Sequence, residues 1–218
     1  MPAKAFILSP FNDGHEIVDD NEMAKSGSQR SHGQLRIIGG SWRGRKLHFT
    51  PIEGLRPTAD RTRETLFNWL APTIGNARCL DLFAGSGALG LEALSRGARY
   101  CDFVDRAPTC TGQISQHLAS LDASGRAGVH ATEAARFLAT ASESYDVVFL
   151  DPPFEKQLLQ PACTALAESG LLSPGALVYV EMGANEVAPE MPQGWQLHRQ
   201  KAAGGVSYQL YTLPQGQA

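Results

Sequence analysis

Strand-like and helical stretches alternate along the middle of this chain, and the alternation limits the fold more than any other feature. Short apolar runs at residues 78–82, 100–105, 128–130, 145–151 and 176–182 predict strands. Helical stretches separate them at residues 88–96, 109–121, 133–141 and 156–168. Because each helix carries the chain back across the sheet, successive strands run parallel and both faces of the sheet are covered. The pattern therefore predicts an α/β fold built on a mostly parallel sheet.

The two ends of the chain follow other patterns. Residues 1–33 are polar and aperiodic, which is typical of a disordered or loosely attached tail. Residues 34–58 contain strand-like runs on both sides of Gly39-Gly40 and predict a small basic β-hairpin followed by a loop. A helix is predicted over 60–70, at the start of the main domain, residues 59–218. Near the C-terminus, residues 195–201 and 206–212 flank Gly204-Gly205 and predict an antiparallel hairpin.

Positive charge is concentrated before the alternating region. Between Arg30 and Glu64 there are eight Lys or Arg and three acids, although the 218-residue chain has a net charge of −3. A basic segment on an acidic body indicates a local contact with a polyanion, and ordinary surface charge is the alternative explanation. The candidate RNA-binding residues, whose basic members are candidate phosphate contacts, are Arg36, Trp42, Arg43, Arg45, Lys46, Arg56, Arg61 and Arg63. Arg56, Arg61 and Arg63 could instead fold over a bound cofactor.

Cysteine spacing and hydropathy argue against several classes of protein. Cys79, Cys101, Cys110 and Cys163 form no C-x-x-C pair and the histidines have no ligand spacing, so we expect no metal site. Unpaired thiols of this kind are typical of a reduced, cytoplasmic protein. No apolar run approaches the ~20 residues that a membrane-spanning helix needs.

A glycine-rich turn follows the first strand of the alternating region. Gly85, Gly87 and Gly90 have the spacing of a dinucleotide-binding fingerprint, and Asp105 lies twenty residues after Gly85. Asp81, however, stands at the mouth of the turn, where a carboxylate would repel a pyrophosphate. An acid at this position suits the cationic amino-acid end of S-adenosylmethionine. We therefore favour a methyl donor as the ligand, with a nicotinamide cofactor as the alternative.

Acids that follow the next two strands extend the predicted cofactor site. Asp105 can accept hydrogen bonds from both ribose hydroxyls of an adenosine. Glu133 can accept a hydrogen bond from the adenine amine, although an acid at this position also suits a helix start. The predicted cofactor-binding residues are Asp81, Phe83, Ala84, Gly85, Gly87, Asp105, Arg106, Glu133 and Ala134.

The sequence Asp151-Pro152-Pro153-Phe154 follows the apolar strand at 146–150. Its two prolines stiffen the backbone and remove two N–H donors, so the Asp151 carboxylate and the Pro152 carbonyl remain as acceptors. Two acceptors can orient the exocyclic amine of a base, and Phe154 can stack on that base. We predict that these four residues are catalytic and that the base leaves its stack to reach them. A proline turn without a function is the alternative.

Several long motifs occur together in the order typical of one family. Residues 36–47 read RIIGGSWRGRKL and residues 55–70 read LRPTADRTRETLFNWL; the glycine-rich segment 81–93 and Asp151–Phe154 follow. From about residue 35 onward, the chain resembles the bacterial 16S ribosomal RNA guanine-N2 methyltransferases of the RsmD type. It departs from them at Ala107, where the family often has an acid, and at Glu133, where Asp or Asn is usual.

The resemblance implies a Rossmann-like class I methyltransferase fold with a seven-stranded sheet and S-adenosylmethionine as the cofactor. Asp81, Gly85 and Gly87 would hold the cofactor, Asp105 its ribose and Glu133 its adenine edge. The implied substrate is guanine 966 of 16S rRNA, in RNA or in an assembling small subunit, and the implied location is the cytoplasm. We expect a monomer.

Three other activities fit parts of the sequence. A DNA adenine-N6 methyltransferase shares the Asp-Pro-Pro-aromatic chemistry, but a separate DNA-recognition domain is not evident. A nicotinamide-dependent oxidoreductase would use the glycine-rich turn and leave Asp151–Phe154 without a role. An RNA-binding assembly factor without catalysis would tolerate the substitution of Asp151.

Overall fold

The computed structural model describes residues 33–50, 60–154 and 157–214. Residues 1–32 of the predicted tail lie outside these ranges. So do residues 51–59 of the predicted loop, with the candidate phosphate contact Arg56.

The described residues form a small two-stranded sheet and a large α/β unit. The strands are β1 (Gly33–Arg36), β2 (Lys46–Phe49), β3 (Arg78–Asp81), β4 (Tyr100–Asp105), β5 (Ala127–Ala131), β6 (Tyr145–Leu150), β7 (Leu172–Gly183), β8 (Gln196–Ala203) and β9 (Val206–Thr212). The helices are α1 (Asp60–Leu70), α2 (Ala88–Ser95), α3 (Pro108–Ser120), α4 (Ala134–Thr140) and α5 (Leu159–Glu168).

The large sheet has seven strands in the order β5-β4-β3-β6-β7-β9-β8. The strands from β3 to β7 run parallel, and β9 pairs antiparallel with both β7 and β8. This topology confirms the predicted class I fold with its C-terminal antiparallel hairpin. Because the central strands are parallel, their carboxyl ends meet at one edge of the sheet, where ligands bind in open α/β sheets.

Each face of the sheet packs against its own layer of helices. Val147 and Phe149 of β6 lie in the hydrophobic cluster that α1, α2 and α3 cover. Val148 and Leu150, which alternate with them, lie in the cluster on the opposite face with α5. Strand residues alternate between faces, so a strand buried on both sides is apolar throughout. That is why β6 is apolar from Val147 to Leu150, where it is buried on both sides.

The N-terminal hairpin is present, but its connection differs from the prediction. The strands β1 and β2 pair in register from Gly33 with Phe49 to Arg36 with Lys46. The second strand does not follow the Gly39-Gly40 pair directly but begins at Lys46, because the segment Gly40–Trp42 forms a turn of 3-10 helix. Gly40 has φ +76°, and a Cβ there would lie 1.9 Å from the carbonyl oxygen of Ser95. Close packing on α2 therefore shapes this loop more than the local glycine pair does.

Candidate active site

The glycine-rich turn joins β3 to α2 at the carboxyl edge of the sheet. Gly85 has φ +52° and Gly87, which precedes α2, has φ +78°, a left-handed conformation that disfavours side chains. Gly90 serves a different purpose: a Cβ on it would lie 2.2 Å from the Phe103 ring. The first two glycines thus shape the turn, and the third lets α2 pack closely on β4.

Asp81, the last residue of β3, lies beneath this turn. Its side chain is 2 % exposed, and its Oδ2 accepts a hydrogen bond from the Gly90 amide at 3.0 Å. Burial raises the pKa of Asp81 to about 7; the Gly90 hydrogen bond opposes this rise, and the charges of Asp151 and Asp105 add to it. The carboxylates of three neighbouring strand ends therefore lie close enough to interact.

Asp105, the last residue of β4, connects the turn to the next loop. Its Oδ2 accepts from the Gly85 amide at 2.9 Å, and its Oδ1 accepts from the Ala107 amide at 2.8 Å. A carboxylate oxygen has more than one acceptor site, so each oxygen can still receive a hydroxyl proton. Asp105 both fixes the turn and can accept hydrogen bonds from a ribose.

A groove of about 490 Å³ opens beside Asp105. Its lining comes from the loops that follow β4 and β5, namely Arg106, Ala107, Ala131, Thr132, Glu133 and Arg136. Glu133 precedes α4 without capping it through its side chain, so its carboxylate is not used by the helix end. Phe83 and Ala84 lie within the glycine-rich turn, and the Ala84 amide donates to the carbonyl of Val104 at 2.9 Å. Ala134 begins α4.

Asp151, Pro152, Pro153 and Phe154 directly follow β6, the strand between β3 and β7. Pro152 is buried, whereas Asp151, Pro153 and Phe154 are partly exposed. Asp151 lies near enough to Asp81 and Glu181 for its charge to raise the pKa of both carboxyls. The predicted catalytic acid and the predicted cofactor acid therefore lie close together at the carboxyl edge of the sheet, the edge at which open α/β sheets have their ligand-binding crevice.

Strand register explains why these acids meet. Asp81 pairs with both Phe103 and Phe149, and Phe149 pairs in turn with Tyr179. Asp105, Asp151 and Glu181 each lie two residues beyond one of these aromatic residues. Residues two apart on a strand share a face of the sheet. The acids thus form a row across four adjacent strands, which we call the acid row: Asp105, Asp81, Asp151 and Glu181.

Glu181 is the member of the acid row that the sequence reasoning missed. It lies within β7 and is 5 % exposed, and its Oε2 accepts a hydrogen bond from Tyr179 Oη at 2.5 Å. Burial raises the pKa of Glu181 well above its usual range, and the Asp151 charge adds to the rise. The available signal was an acid inside the otherwise apolar run Leu177-Val178-Tyr179-Val180-Glu181-Met182.

The basic residues of the hairpin lie away from the acid row. Arg43, Arg45 and Lys46 are exposed, and Trp42 is partly buried with the Arg126 guanidinium 5.8 Å from its ring centre. The hairpin loop packs on Ser95 at the end of α2, and Arg45 Nη2 donates to the carbonyl of Ser120 at the end of α3. Both helices begin at the crevice side. The 13 residues of α3 rise about 19 Å, so the loop lies about one helix length from the crevice.

The remaining candidate phosphate contacts divide by exposure. Arg61 is exposed, and Arg36 is exposed and pairs with Asp60 at 3.2 Å. Arg63 is 1 % exposed, and its Nη2 donates to the Arg36 carbonyl and to Asp60 Oδ1 at 2.9 and 2.6 Å. Arg63 is therefore corrected from a phosphate contact to a buried residue that ties α1 to the hairpin.

Three further observations concern metal binding, the cysteines and membrane insertion. Among the described residues, no three His, Cys, Asp or Glu side chains are grouped as a metal ion would require. The four cysteines are all buried free thiols. Within the same ranges, no helix combines the length and apolar character needed to cross a membrane.

Comparison with known proteins gives consistent matches over most of the chain. The model of the family described as Conserved hypothetical protein 95 matches residues 35–212. The ribosomal RNA small subunit methyltransferase D of Escherichia coli K12 is 49 % identical over 187 residues, which cover 86 % of this chain and 94 % of that protein. The protein of the same name from Haemophilus influenzae is 45 % identical over 192 residues, which cover 87 % of this chain and 99 % of that protein.

Among solved structures, yhhF from Escherichia coli, described as a methyltransferase, is 48 % identical and has a TM-score of 0.77; the match covers 84 % of this chain and 99 % of that chain.

Proposed function

The chain belongs to the Conserved hypothetical protein 95 family, the family of RsmD-type methyltransferases, and we propose that it methylates the exocyclic N2 of a guanine in 16S rRNA. The proposed methyl donor is S-adenosylmethionine, and the proposed guanine, by family resemblance, is guanine 966. The observation that carries the proposal is the acid row, in which Asp151 of the Asp-Pro-Pro-Phe segment interacts with Asp81 beneath the glycine-rich turn.

The chemistry of the acceptors supports S-adenosylmethionine over a dinucleotide. A pyrophosphate at this turn would face the carboxylates of Asp81 and Asp105, with Asp151 close to Asp81. The ammonium group and the ribose hydroxyls of S-adenosylmethionine are hydrogen-bond donors, and those carboxylates can accept hydrogen bonds from them. We propose that Asp81 faces the amino-acid end, Asp105 the ribose and Glu133 the adenine edge. The groove beside Asp105 has room for the adenine.

We further propose distinct roles for the residues after β6. The Asp151 carboxylate and the Pro152 carbonyl accept the two hydrogens of the amine, which localises the nitrogen lone pair and directs it toward the methyl group. Phe154 stacks on the guanine and holds its plane. When bound, S-adenosylmethionine supplies an electrophilic methyl group with a neutral thioether as the leaving group. Binding in a crevice at the strand ends requires a base that has left its stack.

The proposal is tested by offering three substrates in parallel. Labelled S-adenosylmethionine is incubated with the protein and with naked 16S rRNA, assembled small subunits or DNA, and the modified nucleotide is mapped. We expect N2-methylguanine at one rRNA position. Label at adenine N6 in DNA would instead support the rival DNA methyltransferase, and no transfer to any substrate would contradict a methyltransferase role.

A further inference from the structure

Glu181 is a buried carboxyl that the proposed chemistry leaves without a role. It lies on β7, which pairs with β6 as far as Leu150 and Val180. Asp151 directly follows β6 and Glu181 is the next residue of β7, so the register brings the two acids side by side, close enough for the Asp151 charge to act on Glu181. Because both lie two residues beyond a paired aromatic residue, they share the face that carries the acid row.

The surroundings of Glu181 come from three strands. Tyr179 on its own strand donates a hydrogen bond to Oε2 at 2.5 Å. Tyr208 of β9 pairs with Glu181, and Lys201 of β8 pairs with Tyr208. The Trp69 ring of α1 lies 5.5 Å from the Tyr208 ring, which covers this side of the strand. Among the described residues, Asp151 and Tyr179 act on the Glu181 carboxyl, Tyr208 lies beside it on β9, and Lys201 follows one strand further out.

A structural role alone does not account for a carboxyl at this position. Two ionised carboxylates side by side repel each other, the more so when one of them is buried as Glu181 is, and the pair therefore favours the state in which one of the two carries a proton. A glutamine would accept the same Tyr179 hydrogen bond without this cost. A carboxyl beside Asp151 that can take up a proton once it is ionised suits a reaction in which Asp151 receives one.

We propose that Glu181 is the proton-accepting partner of Asp151, taking through it the proton that the amine loses on methylation. This inference rests on the proposed function. The N–C bond forms as the C–S bond of the donor breaks, and the electron pair of that bond stays on sulfur. The nitrogen then releases one hydrogen as a proton to Asp151, its N–H electron pair returns to nitrogen, and the proton passes to ionised Glu181. Atoms and electrons balance without another reactant.

The kinetic test compares Glu181→Gln with the wild type and with Glu168→Gln, a matched change at an exposed residue of α5. Single-turnover methyl transfer is followed from neutral to mildly alkaline pH. In the wild type the rate rises with pH as Glu181 ionises. In Glu181→Gln the rate is at least ~10-fold lower and loses this rise, because general-base assistance is removed. Affinity for S-adenosylhomocysteine is unchanged. A rate that rises in Glu181→Gln as in the wild type would overturn the proposal.

The spectroscopic test does not depend on activity. Infrared difference spectra of the unliganded protein should contain a carboxylic-acid band that disappears with rising pH and is absent from Glu181→Gln. Tyr179→Phe removes a hydrogen bond that lowers the pKa of Glu181. Both the loss of the carboxylic-acid band and the rise of the methyl-transfer rate (the kinetic limb) should therefore occur at higher pH in this variant. An unchanged kinetic limb in Tyr179→Phe would also contradict the proposal. If the wild type methylates no RNA, the proposed function fails. If it does and both variants behave as the wild type, only the role of Glu181 fails.

Discussion

The Glu92 carboxylate of α2 and the Gly39 amide of the hairpin are joined by a 2.8 Å hydrogen bond. The other carboxylate oxygen accepts from the Ile38 amide at 2.8 Å, and Arg96 Nε donates to the first. Glu92 is fully buried, so water could not take its place as the acceptor of these hydrogen bonds. Since α2 begins at the glycine-rich turn, this contact fixes the hairpin to the same helix that shapes the cofactor site.

Replacing Glu92 should therefore be costly. We expect Glu92→Ala to lower the free energy of unfolding by about 3–5 kcal/mol, because it leaves a guanidinium and two amides without their acceptor. Urea unfolding measures the change. Glu168→Ala, on the exposed part of α5, should have a small effect. Equal losses in both variants would show that the Glu92 contacts contribute nothing specific.

The catalytic assignment is tested at Asp151. We expect Asp151→Ala to reduce methyl transfer by at least ~10² while the affinity for S-adenosylhomocysteine stays the same. The substitution also removes a charge that raises the pKa of Asp81, so that pKa should fall below about 7. NMR titration of the Asp81 carboxyl measures this shift. Full activity in Asp151→Ala would exclude the proposed catalytic site.

The buried Asp81 should make stability depend on pH. Its pKa rises from 3.8 to about 7 on folding, so ionising it opposes folding as pH increases through that interval. Asp81→Asn removes this effect. The free energy of unfolding of Asp81→Asn minus that of the wild type should therefore increase from pH 3.8 to about 7 and stay constant above that pH. The increase should be at most about 1.4 kcal/mol for each unit by which the pKa is raised. Thermal unfolding across this range gives the answer, and cofactor affinity should fall in the same variant. A difference that does not vary with pH would contradict the raised pKa.

The glycines of α2 and α3 provide a matched pair. Gly90→Ala places a Cβ 2.2 Å from the Phe103 ring and should lower the free energy of unfolding by about 1–3 kcal/mol. Gly112→Ala meets no atom within 4 Å and should raise it by about 1 kcal/mol, because alanine favours a helix interior. Urea unfolding of both variants tests the assignment of Gly90 to close packing. The assignment requires that the two substitutions change the free energy of unfolding in opposite directions.

The RNA-binding proposal is tested at the hairpin. Replacing Arg43, Arg45 and Lys46 together by Gln should weaken rRNA binding and reduce the salt slope of log affinity by about 1 for each phosphate that is no longer neutralised. Since these residues lie about one helix length from the crevice, transfer at saturating RNA should be unchanged. The double variant Arg199→Gln, Lys201→Gln on the edge strand β8 is the comparison. A reduced salt slope in that variant alone would place the RNA-binding surface on the edge strand β8 instead of the hairpin.

The sequence by itself determined the parts of the protein that local pattern governs. The helix predicted over 60–70 is α1, and the alternating apolar runs became the parallel strands of the sheet. Asp81, Asp105 and Asp151 could be assigned to one edge because parallel strands end together. The period of the apolar residues and the residues that form turns are properties of neighbouring positions in the sequence. These features could therefore be predicted without the structure.

Only the tertiary structure decided which distant side chains meet. The register of β6 and β7 places Glu181 beside Asp151, and no local spacing specifies that register. Arg63 appears in the sequence as one more arginine in a basic segment, yet packing between α1 and the hairpin buries it. The hairpin lies on the end of α2 because Glu92 and Ser95 receive its backbone amides, and it reaches the end of α3 through Arg45 and the Ser120 carbonyl. Burial and long-range hydrogen bonds join residues far apart in sequence, and therefore they arise only when the chain folds.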